Sequence, residues 1–151
     1  MAPFRTSTAP APPTRGDGSD AARREFQLPA QAAAVADARD TVCRQLDRWG
    51  LPDDLGYTAQ LVISEFVTNA VLHTDSERVS CLLQVCERWL RIEVTDEGGG
   101  HSEVTPREAA EEDVNGRGLQ LVGAVAEQWG VHTGGRQAGR VVWAELSLPR
   151  P

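Results

Sequence analysis

From residue 25 onward the apolar positions follow two spacings, a period near two and a period near 3.6, and the switches between them divide the chain into elements. Glu25-Phe26-Gln27-Leu28 alternates polar and apolar, which predicts a short edge strand, and Pro29 after it can open a helix. Residues 30–49 carry Val35, Ala38, Val42, Cys43 and Leu46 at three- and four-residue steps, the mark of an amphipathic helix, with Gly50 as its stop. Pro52, Asp53 and Asp54 begin a second helix, since acids in the first turn complement the helix dipole, and the apolar pattern carries it to about His73. Val79-Ser80-Cys81-Leu82-Leu83-Gln84-Val85 and Leu90-Arg91-Ile92-Glu93-Val94 alternate as two strands about a tight Glu87-Arg88 turn, a hairpin.

Residues 96–118 are polar, acidic and glycine-bearing, with little periodicity. Such a stretch is far longer than the ~4–6 residues of a usual connection, and a functional loop is expected there. Helix spacing returns over residues 119–128 through Leu119, Val122, Val125 and Ala126, and two strands are predicted over 129–133 and 140–148. The resulting order predicts an α+β fold with helices on one face of a mixed, mainly antiparallel sheet. Residues 1–23 are rich in Pro, Ala, Thr, Gly and Asp with almost no large apolar side chains, so they are expected to be a disordered tail ahead of one domain over residues 24–149.

Composition narrows the classes of function. Hydrophobic residues make up 40% and charged residues 25% of the 151, proportions that suit a soluble globular domain. All 15 cationic side chains are arginines, so mechanisms that need a lysine, such as a Schiff base or a P-loop, are excluded. The formal net charge of -7 argues against a general nucleic-acid face. With no apolar run near the ~18 residues needed to cross a bilayer and no signal-peptide pattern, a cytoplasmic protein without membrane contact is expected. Cys43, Cys81 and Cys86 are odd in number and form no Cys-x-x-Cys pair, so they read as small core residues. His73, His101 and His132 lack metal-ligand spacing.

Three short features could carry chemistry. On the second helix, Glu65, Asn69 and His73 recur every four residues, drift by about 40° per step, and so form one polar stripe on an otherwise apolar cylinder. A solvated face is the plainer reading, but polar groups turned inward cost several kcal/mol unless something pairs with them. Asp96-Glu97-Gly98-Gly99-Gly100 closes a strand and taken alone is a good turn and little more; as a functional reading, a carboxylate able to accept from an exocyclic amine meets a backbone that a planar base can approach. Asn115-Gly116-Arg117-Gly118 lies directly before a helix, whose N-terminal amides favour an anion such as phosphate, although a simple turn into a helix would look the same.

In this order, Glu65-x-x-x-Asn69, Asp96-x-Gly98-x-Gly100 and Gly116-Arg117-Gly118-Leu119 resemble the N, G1 and G2 boxes of the GHKL (Bergerat-fold) ATPases. Residues 61–74, with Gly116-Arg117-Gly118-Leu119 and Trp129-Gly130-Val131, are similar to the small anti-sigma-factor serine kinases of Gram-positive bacteria, a branch of that family. The likeness spans residues 25–148. It implies a two-layer α/β sandwich holding ATP between helices and sheet, with Asn69 coordinating Mg²⁺ and Glu65 as the catalytic residue that orients or deprotonates the attacking hydroxyl. Asp96 would accept from the adenine amine. His73, Gly98, Gly100, Gly116, Arg117, Gly118 and Leu119 would complete the nucleotide site, with residues 101–115 as its lid.

The implied protein partners are an antagonist bearing a phosphoacceptor serine and a sigma factor, and a homodimer through an exposed Trp143 strand is a further expectation. The alternative is a non-catalytic, nucleotide-responsive interaction module on the same fold, and a phosphate-releasing ATPase is not separated from the kinase. The acidic lid residues Glu108, Glu111, Glu112 and Asp113 are unfavourable beside a triphosphate. No phosphoacceptor-histidine helix is expected before Glu25, which sets the chain apart from sensor histidine kinases.

Overall fold

The computed structural model describes residues 22–73, 76–97, 116–133 and 139–149. Its elements run β1 (Arg23–Pro29), α1 (Ala33–Arg48), α2 (Asp53–His73), β2 (Arg78–Val85), β3 (Trp89–Asp96), α3 (Gly116–Val125), β4 (Gln128–Thr133) and β5 (Arg140–Ser147). The strands form one sheet in the order β1-β2-β3-β5-β4, and each of its pairings is antiparallel. With the helices laid over one face, this is the α+β two-layer sandwich predicted from the sequence.

The helix-facing side is apolar because alternate strand residues point to it. Val79, Cys81 and Leu83 of β2, Leu90, Ile92 and Val94 of β3, and Ala144 and Leu146 of β5 join Val62, Ile63, Phe66 and Val67 of α2 in one core. Helix α1 contributes Ala34, Ala38, Val42 and Leu46, a strict four-residue stripe. That stripe leaves Cys43 about 100° past Val42, and Cys43 is exposed instead of lying in the core with Cys81. Helix α1 stops as expected at Gly50, which has φ +74°. There the Gly50 N–H donates to the Asp47 carbonyl and the Leu51 N–H to the Leu46 carbonyl, the paired bonds of a Schellman cap.

Two boundaries differ from the sequence expectation. Pro29 does not open α1; it closes β1, paired with Arg78 on an edge strand, where its missing N–H costs no ladder bond. Helix α3 ends at Val125, earlier than residue 128, because the Glu127 N–H donates to the Glu145 carbonyl and draws the chain into the sheet.

The outer face of the sheet holds a buried ionic cluster. Arg91 is 2% exposed; its Nε donates to Glu93 at 2.7 Å, its Nη1 to Glu145 at 2.8 Å, and its guanidinium lies 4.6 Å from the centre of the Trp143 ring. Trp143 sits opposite Gly130, where a Cβ would approach the indole to 3.0 Å, so glycine there leaves the ring its space. Trp143 is therefore buried, at 7% exposure, and does not present the exposed strand on which the homodimer expectation rested. Among the described residues no helix is long and apolar enough to cross a membrane.

Candidate functional site

Strand β3 ends at Asp96. Alternation from Leu90, Ile92 and Val94 turns its side chain to the helix side of the sheet, and it is only 4% exposed. A buried carboxylate must be met by donors. The ladder that pairs Thr95 with Val141 continues one step, and the Arg140 N–H donates to Asp96 Oδ1 at 3.1 Å. The Arg140 Nε lies 3.7 Å from Asp96 Oδ2. Gly139 makes this approach possible: a Cβ there would overlap the Asp96 carbonyl oxygen and come within 2.5 Å of Oδ1.

The next residue locks the end of the strand. Glu97 Oε1 accepts from the backbone N–H of Glu77 at 2.8 Å and of Arg78 at 3.3 Å, while the Glu97 N–H donates to Ser76 Oγ at 2.8 Å. Glu97 thus ties the end of β3 to the start of β2.

Helix α2 packs on β3 and α3 and carries Glu65 and Asn69 one turn apart. Asn69 is buried, at 9% exposure, so a fully solvated polar stripe does not describe it; Glu65 is half-buried. Gly116 begins α3, and Arg117, Gly118 and Leu119 follow in its first turn, which places the backbone amides of the G2-like segment at a helix N-terminus. The side chains of His73 and of residues 116–119 lie outside the described residues, as do Gly98, Gly100 and residues 101–115, where a lid was expected. Among the described residues no group of three His, Cys, Asp or Glu could hold a metal ion.

Gly139 and Arg140 belong to this site and did not emerge from the sequence. The available signal was parity: Val142, Ala144 and Leu146 point to the core, so Arg140 points to the same side, an unusual place for an arginine.

The described residues thus include an inward carboxylate at the end of a strand, a buried amide on a long helix and a glycine-bearing helix N-terminus. Comparison with curated proteins gives no match. The family model of the histidine kinase-like ATPase domain matches residues 28–146, from the end of β1 through most of β5, and the chain belongs to that family.

Proposed function

We propose that the protein is an ATP- and Mg²⁺-dependent serine/threonine protein kinase of the anti-sigma-factor type, which phosphorylates an antagonist protein and thereby controls a sigma factor. Family membership supports ATP as the ligand. The observation that carries the site reading is Asp96, a carboxylate that is buried on the helix side of the sheet and held by the Arg140 N–H, as an acceptor for an exocyclic amine must be. Asn69 fits the phosphate end through its amide oxygen, a hard donor on the buried side of α2. Mg²⁺, when bound, would offset phosphate charge there. Gly116 and Gly118 would bring N-terminal amides of α3 to the phosphates, with Arg117 as a further cation, and Gly98 and Gly100 would leave space at the base.

In the proposed reaction the serine oxygen of the antagonist forms a bond to the γ-phosphorus as the bond from that phosphorus to the β–γ bridging oxygen breaks. ADP leaves, and the serine proton passes to the Glu65 carboxylate. Glu65→Ala is expected to leave ATP affinity within about twofold and to lower phosphoryl transfer by ~100-fold or more, in line with loss of a general base. The test is transfer of label from γ-labelled ATP to serine-bearing candidate antagonists. Transfer that survives Glu65→Ala would remove the catalytic role, and ATP binding without transfer to any such protein would leave a nucleotide-responsive binding module.

A further inference from the structure

The Arg140 side chain is 14% exposed, on the helix side of the sheet, and its Nε is buried without a hydrogen-bond partner although it lies 3.7 Å from Asp96 Oδ2. A buried guanidinium N–H with no acceptor is costly, and an acceptor arriving beside Asp96 would relieve that cost. Acceptor and donor stand next to each other here: the Asp96 carboxylate, able to take several hydrogen bonds at once, and the Arg140 guanidinium, which only donates. Adenine offers the complementary pair, because its exocyclic amine donates and the ring nitrogens on either side of that amine accept.

We propose that Arg140 reads the base together with Asp96, donating to a ring nitrogen beside the amine that Asp96 accepts from. This rests on ATP being the ligand at Asp96 and adds a specificity-determining residue to that site. The role differs from simple support of Asp96: a residue that only positions the carboxylate would affect every adenine nucleotide alike, whereas a residue that touches the ring nitrogen loses its value only when that nitrogen is absent.

The test is a calorimetric titration of the full chain with ATP, 1-deaza-ATP and 7-deaza-ATP, each with Mg²⁺, for the wild-type protein and for Arg140→Met and Arg140→Lys. The wild-type protein is expected to bind one of the two deaza nucleotides at least about tenfold more weakly than ATP, the usual worth of a hydrogen bond to a charged donor. In Arg140→Met the same analogue and ATP are expected to bind alike, and Arg140→Lys to restore part of the difference. Wild-type affinities equal for all three nucleotides overturn the proposal without touching the ATP reading, and this arm needs no variant to fold. A deaza penalty that persists undiminished in a folded Arg140→Met overturns it too. Failure of the wild-type protein to bind ATP at all would instead bring down the ATP reading, and the inference with it.

Discussion

Replacing Gly139 with alanine tests whether the end of β5 holds Asp96 in place. At Gly139 there is no space for a side chain. The added Cβ would overlap the Asp96 carbonyl oxygen and reach within 2.5 Å of Oδ1. The carbonyl is main chain, and the carboxylate accepts the Arg140 N–H. Overpacking a closed site costs about 1–3 kcal/mol. If the strand ends part instead, the cost is the charge-assisted bond from Arg140 to Asp96, about 1.5–3 kcal/mol. Either route gives a loss of about 1–3 kcal/mol, and a melting temperature lower by roughly 2–12 °C for a chain of this length. Urea unfolding followed by tryptophan fluorescence measures it. Gly56→Ala is the matched control: nothing lies within 4 Å of a Cβ there, and within α2 the alanine should add about 0.5–1 kcal/mol. Gly139→Ala within about 0.5 kcal/mol of the wild-type protein would refute the account of this strand end.

Other perturbations probe separate links. Arg91→Met leaves Glu93 and Glu145 without their shared cation and should cost about 3–5 kcal/mol in the same urea assay; a loss below about 1 kcal/mol would mean the outer-face cluster is not coupled as the geometry indicates. Gly50→Ala places a Cβ at φ +74° and should cost about 1 kcal/mol, while an unchanged midpoint would contradict the left-handed cap of α1. Burial pushes the Cys81 thiol up to about 12 from 9.0, so a thiol reagent at pH 8 should label exposed Cys43 in the native protein and reach Cys81 only on unfolding. Because the folded state keeps the Cys81 proton that the unfolded chain releases above pH 9.0, stability should fall as pH rises from about 9 to 12; a flat profile there would contradict the burial.

The sequence discloses whatever depends on local periodicity. Val42 and Leu46 announce α1, the alternation Leu90-Arg91-Ile92-Glu93-Val94 announces β3, and Gly50 announces the stop between the first two helices. It discloses Asp96 because an acid followed by glycines at the end of a strand is a local pattern. It hides whatever depends on which strands become neighbours. Arg91 and Glu93 show in the sequence only as the polar half of an alternating strand, and the register with β5 is what brings Glu145 and Trp143 alongside. Arg140 lies 44 residues from Asp96, and only the antiparallel register puts its N–H on that carboxylate. Glu97 is an unspecified position in the Asp96-x-Gly98-x-Gly100 pattern, yet it fastens β3 to the start of β2 through two backbone amides.

The central claim is that Asp96 receives the adenine of ATP. Calorimetric titration with ATP and Mg²⁺, of the wild-type protein beside Asp96→Asn, tests it most directly. Loss of a carboxylate acceptor that meets an amine should weaken binding by at least about tenfold, and unfolding curves for both proteins establish that the variant is folded. Saturable ATP binding by the wild-type protein with that loss in a folded variant is the expected result. Equal affinities in the two proteins, or no binding to the wild-type protein at millimolar ATP, would contradict it.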